Sequence, residues 1–65
     1  MNNISDKRQL KGLTQNELAK LTGISAMSYH RYEKGDRVPD ARTAIRIAQA
    51  LGTTVEELWG GNLTA

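Results

Sequence analysis

Residues 13–35 read LTQNELAKLTGISAMSYHRYEKG, a pattern that predicts two short helices joined by a tight glycine turn. Thr14 and Glu17 have the spacing of a capping box, in which the two side chains satisfy backbone N–H groups at the start of a helix. Gly23 ends that first helix, because glycine adopts the left-handed backbone conformation without a side-chain penalty. Ser25 is then a natural N-cap for the second helix.

The rest of the chain divides into segments of helical length, and a glycine closes each of them. These closing positions are Gly12, Gly23, Gly35, Gly52 and the pair Gly60 and Gly61. The first helix is expected over about residues 3–11, where Ile4 and Leu10 are the only apolar side chains. No alternating β-branched run or hairpin dipeptide competes with these helices. The sequence therefore predicts one all-α domain of five helices over residues 1–65.

Helix starts are also visible in the second half of the chain. Asp40 follows Pro39 and is the expected N-cap of the fourth helix. Thr54 and Glu57 repeat the capping-box spacing at the start of the fifth helix. Apolar residues at helical spacing give the fourth helix one buried face, made by Ala44, Ile47, Ala48 and Leu51.

The composition limits the size of the domain and its compartment. A chain of 65 residues has room for one small core. It contains no cysteine, so helix packing rather than disulfides must stabilise it, as suits a reducing compartment. No segment has the apolar run of a signal peptide or the roughly 20 apolar residues of a membrane span. We therefore expect a soluble, cytoplasmic protein without a membrane partner.

The inventory of reactive side chains argues against an enzyme. The chain has one histidine and no cysteine, and no carboxylate pair stands near a nucleophile. No glycine-rich loop of the kind that cradles phosphates is present. His30 has no neighbouring Cys, His or carboxylate cluster that would complete a metal site. We therefore expect no catalytic residue, no metal, no cofactor and no small-molecule ligand.

Basic residues are concentrated in the middle of the chain. Nine Lys and Arg against seven Asp and Glu give a formal net charge of +2 and a pI of about 9.3. The cationic residues Arg31, Lys34, Arg37, Arg42 and Arg46 fall within one third of the chain, whereas Glu56 and Glu57 make the following segment acidic. Such a one-sided basic surface is compatible with binding to nucleic acid.

The second helix of the quoted stretch has two different faces. An advance of about 100° per residue places Tyr29, Tyr32 and Ser25 on an inward side. The outward side then carries Met27, His30, Arg31 and Lys34, with Ala26 on its flank. A face that only contacts solvent would be expected to carry long charged residues. The mixture of apolar, small and basic side chains found here instead suits a DNA groove.

The outward residues match the chemistry of the major groove. Guanine offers two acceptors that an arginine such as Arg31 can engage together, and thymine offers a methyl group to an apolar side chain such as Met27. Ala26 is short enough to let the backbone approach, and it can touch a thymine methyl as well. His30 can donate to a base edge or a phosphate. These four residues are the candidate base readers.

A second set of residues is expected to hold the phosphates of the DNA backbone. Gln15 lies in the first turn of its helix, where free backbone N–H groups make a phosphate site. The other candidate phosphate contacts are Ser25, Lys34, Arg37 and Arg42. Contacts of this kind fix the register of a protein on the duplex without selecting its sequence.

A set of spaced residues extends over nearly the whole chain, from about Ile4 to Trp59. It comprises Leu13-Thr14-Gln15, Leu18-Ala19, Gly23-Ile24-Ser25, Tyr32-Glu33-Lys34-Gly35, Pro39, Ile47-Ala48-x-Ala50-Leu51-Gly52 and Leu58. This combination resembles the Cro/C1 type, or XRE-like, helix-turn-helix family of phage repressors and related bacterial regulators. The resemblance implies a compact five-helix domain of the lambda-repressor type, with its helix-turn-helix over about residues 14–34. It also implies a recognition helix at Ser25 to Lys34 and homodimers on palindromic operators.

The resemblance further implies an ion pair between Arg8 on the first helix and Glu33 at the end of the third. Charged residues at these two positions commonly pair in the family. Two residues depart from the family's pattern. Lys7 stands where an apolar residue is common, and Tyr29 replaces a smaller aliphatic residue.

These observations lead to an expected function, a sequence-specific double-stranded DNA-binding transcriptional regulator that acts as a homodimeric repressor. Val55, Leu58 and Trp59 have two interpretations, since they can contact a second copy or cover the protein's own core. We expect the dimer contact. The alternative function is a protein-interaction module on the same fold, such as an antitoxin or an adaptor. The apolar pair Ala26 and Met27 keeps that alternative open.

Overall fold

Five helices account for most of residues 2–60, the part of the chain that this computed structural model describes. They are α1 (Ile4–Leu10), α2 (Gln15–Thr22), α3 (Ala26–Lys34), α4 (Ala41–Leu51) and α5 (Val55–Trp59). No strand is present among these residues, so the predicted all-α fold with a helix-turn-helix at α2 and α3 is confirmed. The expected domain limits, 1–65, and the predicted stop at Gly61 extend beyond the described residues.

The helix starts follow from local side-chain chemistry. Thr14, Ser25, Asp40 and Thr54 are the N-caps of α2 to α5, and each side chain accepts a hydrogen bond from a backbone N–H three residues later. At α2 the capping box is complete, because the Glu17 carboxylate also accepts from the Thr14 backbone N–H at 2.8 Å. These contacts satisfy donors that a helix start leaves without an intrahelical partner.

The predicted capping box at α5 is only half formed. The Glu57 backbone N–H donates to the Thr54 hydroxyl oxygen at 3.1 Å, as expected. The Glu57 carboxylate, however, accepts from the Thr53 hydroxyl at 2.6 Å and lies 3.6 Å from the Lys7 ammonium of α1. The Thr53 hydroxyl, aided by Lys7, thus engages this carboxylate in place of the Thr54 backbone N–H.

The turn between α2 and α3 depends on Gly23. Its φ angle of 71° is left-handed, and its backbone N–H donates to α2 carbonyls as a helix C-cap. An added Cβ would find its nearest neighbour 3.9 Å away, at the Arg46 guanidinium. The backbone angle, rather than a lack of space, therefore requires glycine at this turn.

All five helices contribute to one core. The α4 face predicted from its periodicity is buried, and every other helix adds at least one apolar side chain. The buried apolar residues are Ile4, Leu18, Ala19, Tyr29, Ala44, Ile47, Ala48, Leu51, Leu58 and Trp59. Among the helix pairs, α2 packs on both α3 and α4, and α4 packs on α5. Removal of these side chains from water is the main force that holds the short helices together.

Polar contacts compensate for the sparse apolar surface of α1. Ile4 is its buried anchor, whereas Leu10 is 82% exposed. The Asn3 backbone N–H donates to the Leu58 carbonyl at 2.8 Å, and the Asn3 side-chain amide donates to the Glu57 carbonyl at 2.9 Å. The Lys7 ammonium lies 3.6 Å from the Glu57 carboxylate. These contacts fasten α1 to the end of α5.

The burial of α5 limits the surface that the expected dimer contact can use. Leu58 is fully buried and Trp59 is 4% exposed, so both lie in the core of the monomer. They have almost no surface left to bury against a second copy. Val55 is half-buried, packs against the same core and retains some accessible surface. The Trp59 indole therefore fits the second of its two interpretations, as a cover for the protein's own core.

Candidate nucleic-acid interface

The two faces of α3 differ sharply in exposure. Tyr29 is completely buried, and Tyr32 is half-buried against the core. Ala26, Met27, His30, Arg31 and Lys34 are exposed, and Met27 retains 68% of its accessible surface. The predicted outward face is therefore confirmed as solvent-facing, although its contacts with bases stay a prediction. Ser25 differs from the helical projection, because as N-cap it is exposed rather than turned inward.

Both ends of α3 are fixed by local contacts. The Ser25 hydroxyl oxygen accepts from the Ser28 backbone N–H at 3.2 Å. Gly35 closes the helix with a φ angle of 85°, and the next residue, Asp36, donates its backbone N–H to the Arg31 carbonyl at 3.0 Å. The start of α3 thus projects from the turn as a capped helix end with small side chains, Ser25 and Ala26, at its tip.

A group of four side chains anchors the inward side of α3, and we call Arg8, Gln15, Tyr29 and Glu33 the Glu33 cluster. Arg8 donates through Nε to Glu33 Oε2 and through Nη2 to Glu33 Oε1, both at 3.0 Å. Gln15 Nε2 donates to Oε1 at 3.1 Å, and the Tyr29 hydroxyl donates to Oε2 at 2.6 Å. The cluster therefore joins α1, α2 and α3 through one carboxylate.

The cluster holds its carboxylate in the charged state. Burial opposes ionisation of Glu33, but the hydrogen bonds from Arg8, Tyr29 and Gln15 outweigh it and lower the pKa of Glu33 to about 2. The hydrogen bond to Glu33 likewise raises the pKa of Arg8 above its ordinary value. Burial, followed by the hydrogen bond to Glu33, raises the pKa of Tyr29, so its hydroxyl remains a donor. All three groups are thus fixed in their hydrogen-bonding states at neutral pH.

Arg8 also ties the loop before α2 to the same cluster. Its Nη1 donates to the Leu13 carbonyl at 2.8 Å, next to the Thr14 cap that begins α2. The Arg8 and Glu33 side chains retain 13% and 8% of their accessible surface, so this ion pair is largely shielded from water. The start of α2 and the end of α3 are consequently held in a fixed relative position.

The candidate phosphate contacts are distributed over three segments. Gln15 is half-buried at the first turn of α2, where it bonds to Glu33. The Lys34 ammonium lies 3.5 Å from the Asp36 carboxylate, and both side chains are more than half exposed. Arg37 and Arg42 are exposed on the α3–α4 loop and the first turn of α4. An exposed pair such as Lys34 and Asp36 is weak, so the lysine can exchange its partner for a phosphate.

Sequence reasoning did not find the role of the Tyr29 hydroxyl or the contact between Gln15 and Glu33. It predicted that the Tyr29 side chain faces the core but assigned no hydrogen bond to its hydroxyl. The spacing of Tyr29 and Glu33, four residues apart on one helix, is the signal that could have shown their contact. The contact with Gln15 has no local signal, because it depends on how α2 packs against α3.

The helix-turn-helix family model matches residues 4–58 of the chain. The chain belongs to the helix-turn-helix family of the Cro/C1 type. The members of this family are DNA-binding transcriptional regulators. The match includes α1 to α4 and most of α5, and therefore the whole Glu33 cluster and the outward face of α3.

Similar proteins come from a phage and from distant microorganisms. The cryptic phage CTXphi transcriptional repressor RstR of Vibrio cholerae is 35% identical over 57 residues, which are 88% of this chain and 51% of the relative. The HTH-type transcriptional regulator YqaE of Bacillus subtilis is 37% identical over 59 residues, or 91% of this chain and 51% of the relative. The chain thus spans about half the length of both proteins.

A shorter relative matches over most of its length. An HTH-type transcriptional regulator of Methanocaldococcus jannaschii is 34% identical over 58 residues, which are 89% of this chain and 88% of the relative.

Within residues 2–60 of this helix-turn-helix protein, no helix is long and apolar enough to cross a membrane. The same residues contain no group of three or more His, Cys, Asp or Glu side chains that could hold a metal ion.

Proposed function

We propose that this helix-turn-helix chain binds double-stranded DNA at specific sequences and represses transcription as a homodimer on a palindromic operator. The single observation that carries the proposal is the exposed face of α3. It presents Met27, which is 68% exposed, beside exposed Ala26, His30 and Arg31, on a helix whose opposite face is fully anchored. A rigid helix with such a face has the dimensions and chemistry that the major groove accepts.

The proposed contacts separate into two classes. Ala26, Met27, His30 and Arg31 select the sequence through base edges, with Arg31 engaging the paired acceptors of a guanine. Gln15, Ser25, Lys34, Arg37 and Arg42 hold phosphates and set the register. Ser25 keeps its hydroxyl proton for a phosphate, because its oxygen acts as the acceptor in the helix cap. The two classes predict different consequences when their members are replaced.

The repressor assignment is supported by the relative from Vibrio cholerae, whose name describes a transcriptional repressor. In the proposed mechanism, two copies on a two-fold site block access of the polymerase. Their recognition helices would lie about 34 Å apart, one turn of the duplex. Val55 and the exposed Glu56 and Glu57 are the α5 residues that remain available for a contact between copies, since Leu58 and Trp59 are buried.

Selection from random duplexes tests the proposal most directly. The purified chain is mixed with a pool of random double-stranded DNA, and the retained molecules are sequenced after several rounds. We expect one enriched motif with two-fold symmetry and half-sites about 10 base pairs apart. Affinity for that motif should fall with salt, with a slope of log K against log salt of about −0.9 for each phosphate neutralised. Absence of any enriched sequence would contradict the proposal.

The protein-interaction alternative is favoured by one observation, the exposure of two apolar side chains, one on α3 and one in the loop between α3 and α4. Met27 is 68% exposed and Val38 is 58% exposed. A protein partner docked on these residues would bind with little dependence on salt, since apolar burial is not screened by ions. The slope measured in the salt titration therefore separates the two functions.

A further inference from the structure

The Glu33 carboxylate accepts two hydrogen bonds on each of its oxygens. Oε2 receives Arg8 Nε at 3.0 Å and the Tyr29 hydroxyl at 2.6 Å. Oε1 receives Arg8 Nη2 at 3.0 Å and Gln15 Nε2 at 3.1 Å. A carboxylate offers about four lone-pair sites, so these donors fill it. Each donor is consequently limited to one position on the carboxylate.

The Tyr29 hydroxyl has one acceptor among residues 2–60, Glu33 Oε2. Its side chain is completely buried, and a buried hydroxyl needs a partner inside the protein. Tyr29 and Glu33 also lie one turn apart on α3, so this hydrogen bond fixes the carboxylate relative to its own helix. Because Tyr29 and Arg8 together fill Oε2, the Gln15 amide is held on the remaining site of Oε1.

We propose that the Tyr29 hydroxyl is a positioning group that holds the Gln15 amide, through Glu33, in the orientation needed for a phosphate. This inference rests on the proposed function. Gln15 uses one of its two amide N–H groups on Glu33, and the second remains available to a phosphate oxygen. The side chain lies in the first turn of α2, whose free backbone N–H groups favour the same anion.

The placement of Gln15 affects more than one contact. The phosphate contact lies on α2 and the base contacts lie on α3, so one duplex must satisfy both at a fixed separation. A carboxylate that can rotate would let Gln15 move relative to α3. Tyr29 thus links the burial of α3 to the register of the protein on DNA.

The variant Tyr29→Phe tests this inference, because it removes the hydroxyl and keeps the buried ring. With a duplex obtained by selection, we expect Kd to rise about three- to tenfold, the effect of roughly one hydrogen bond. The base preference should not change, since no base contact is removed. Tyr32→Phe is the matched control, because it removes a hydroxyl from the same helix outside the Glu33 cluster, and its Kd should equal that of the parent.

A double-mutant cycle with Gln15→Ala distinguishes positioning from a general loss of stability. All variants are measured at a temperature at which circular dichroism shows them fully folded. If Tyr29 acts through Gln15, the Tyr29→Phe change should leave Kd unaltered in the Gln15→Ala background. Equal losses of affinity in both backgrounds would overturn the inference, and so would parental affinity of Tyr29→Phe alone.

Nuclear magnetic resonance of the DNA-free protein gives a readout that needs no duplex. In the parent, the Gln15 side chain should be ordered, and its two amide protons should be separated more widely in chemical shift than those of an exposed glutamine, because one of them is bonded to Glu33. Tyr29→Phe should reduce that order, while Tyr32→Phe should not. A disordered Gln15 side chain in the parent would overturn the inference without any substitution. If the parent shows an ordered Gln15 but binds no duplex, the proposed function fails, whereas parental DNA binding with an unaffected Tyr29→Phe variant sinks this inference alone.

Discussion

The inward and outward faces of α3 belong to the same nine residues but depend on different partners. Contacts within the monomer account for the residue types on the inward face, since Tyr29 is buried and Glu33 is hydrogen-bonded to Arg8 and Gln15. The outward face has an exposed methionine and arginine whose presence the fold does not require. The fold thus accounts for one face, and the proposed contact with DNA accounts for the other.

This difference means that stability and recognition should respond to different substitutions. Changes on the inward face should lower the free energy of unfolding and affect DNA binding through it. Changes on the outward face should alter binding and leave the free energy of unfolding unchanged, as is usual for exposed positions. An outward substitution that lowers the free energy of unfolding, or an inward substitution that changes DNA binding without changing that free energy, would contradict this assignment.

Glu33→Ala should have the largest effect on stability. It leaves the Arg8 guanidinium, which is 13% exposed, without its carboxylate, and it leaves the buried Tyr29 hydroxyl without an acceptor. Loss of one partner from a shielded pair of this kind costs about 3–5 kcal/mol. Urea unfolding followed by circular dichroism measures the loss as a lower midpoint.

Asp36→Ala is the matched control, because it removes the carboxylate of the Lys34 pair, whose side chains are 61% and 59% exposed. Exposed pairs contribute about 0–1 kcal/mol, so its midpoint should stay close to that of the parent. Similar losses for the two alanine variants would show that the inward face is not a special anchor.

The second-largest effect on stability should come from acid, which protonates the Glu33 carboxylate. The folded-state pKa of Glu33 is about 2, below its ordinary value of 4.5, so the folded state favours the carboxylate. The resulting stability is present above about pH 4.5 and is lost as pH falls toward 2. Allowing for solvent screening, we expect a loss of about 2–3 kcal/mol over that range.

Comparison with Glu33→Gln isolates this contribution from those of other carboxylates. The pKa values of Glu17, Asp40 and Glu57 are also lowered, by hydrogen bonds at helix starts and from Thr53. These groups titrate in both proteins, so the difference between the two acid-unfolding curves belongs to Glu33. Parallel curves for parent and variant between pH 5 and pH 2 would contradict the assignment.

The sequence predicted the helices because their boundaries are set by neighbouring residues. Thr14, Asp40 and Gly23 act within one turn of their own position, so their types reveal their roles. Periodicity similarly revealed which side of α3 is exposed. The outward half of the candidate site was therefore accessible from sequence alone.

Features that depend on contact between distant segments were not predictable in the same way. Glu57 has the right spacing for a capping box, yet its carboxylate accepts from the nearby Thr53 hydroxyl and lies 3.6 Å from the Lys7 ammonium of the distant α1. Trp59 has a type that suits both a core and an interface, and only the packing of α5 places it inside. The Gln15 amide meets Glu33 for the same reason, since this contact depends on how α2 packs against α3.

On the outward face, Arg31→Ala should produce the largest change in DNA binding. It removes the proposed bidentate contact with guanine, which is worth about 1–3 kcal/mol on the selected site. Selectivity should relax at one base pair of each half-site. Fluorescence anisotropy with the selected duplex and with duplexes altered at single positions measures both effects.

Lys20→Ala is a suitable control for charge, because Lys20 is exposed on α2 and lies in a groove with Leu21 and Gly23, outside the proposed contact residues. It removes the same formal charge, and we expect the sequence preference to persist. The Arg31→Ala chain should also unfold at the parental urea concentration. Normal binding of the selected duplex by Arg31→Ala would show that the outward face is not the recognition surface.

Lys34→Ala should give the smallest effect, and its character sharpens the distinction between phosphate and base contacts. Affinity should weaken about two- to fivefold for selected and random duplexes alike, and the salt slope should decrease by about 1. Asp36→Ala should act in the opposite direction, because it removes the carboxylate that lies 3.5 Å from the Lys34 ammonium. Anisotropy titrations at several salt concentrations test both variants. A loss confined to the selected sequence would instead make Lys34 a base reader and extend the recognition surface to the last turn of α3.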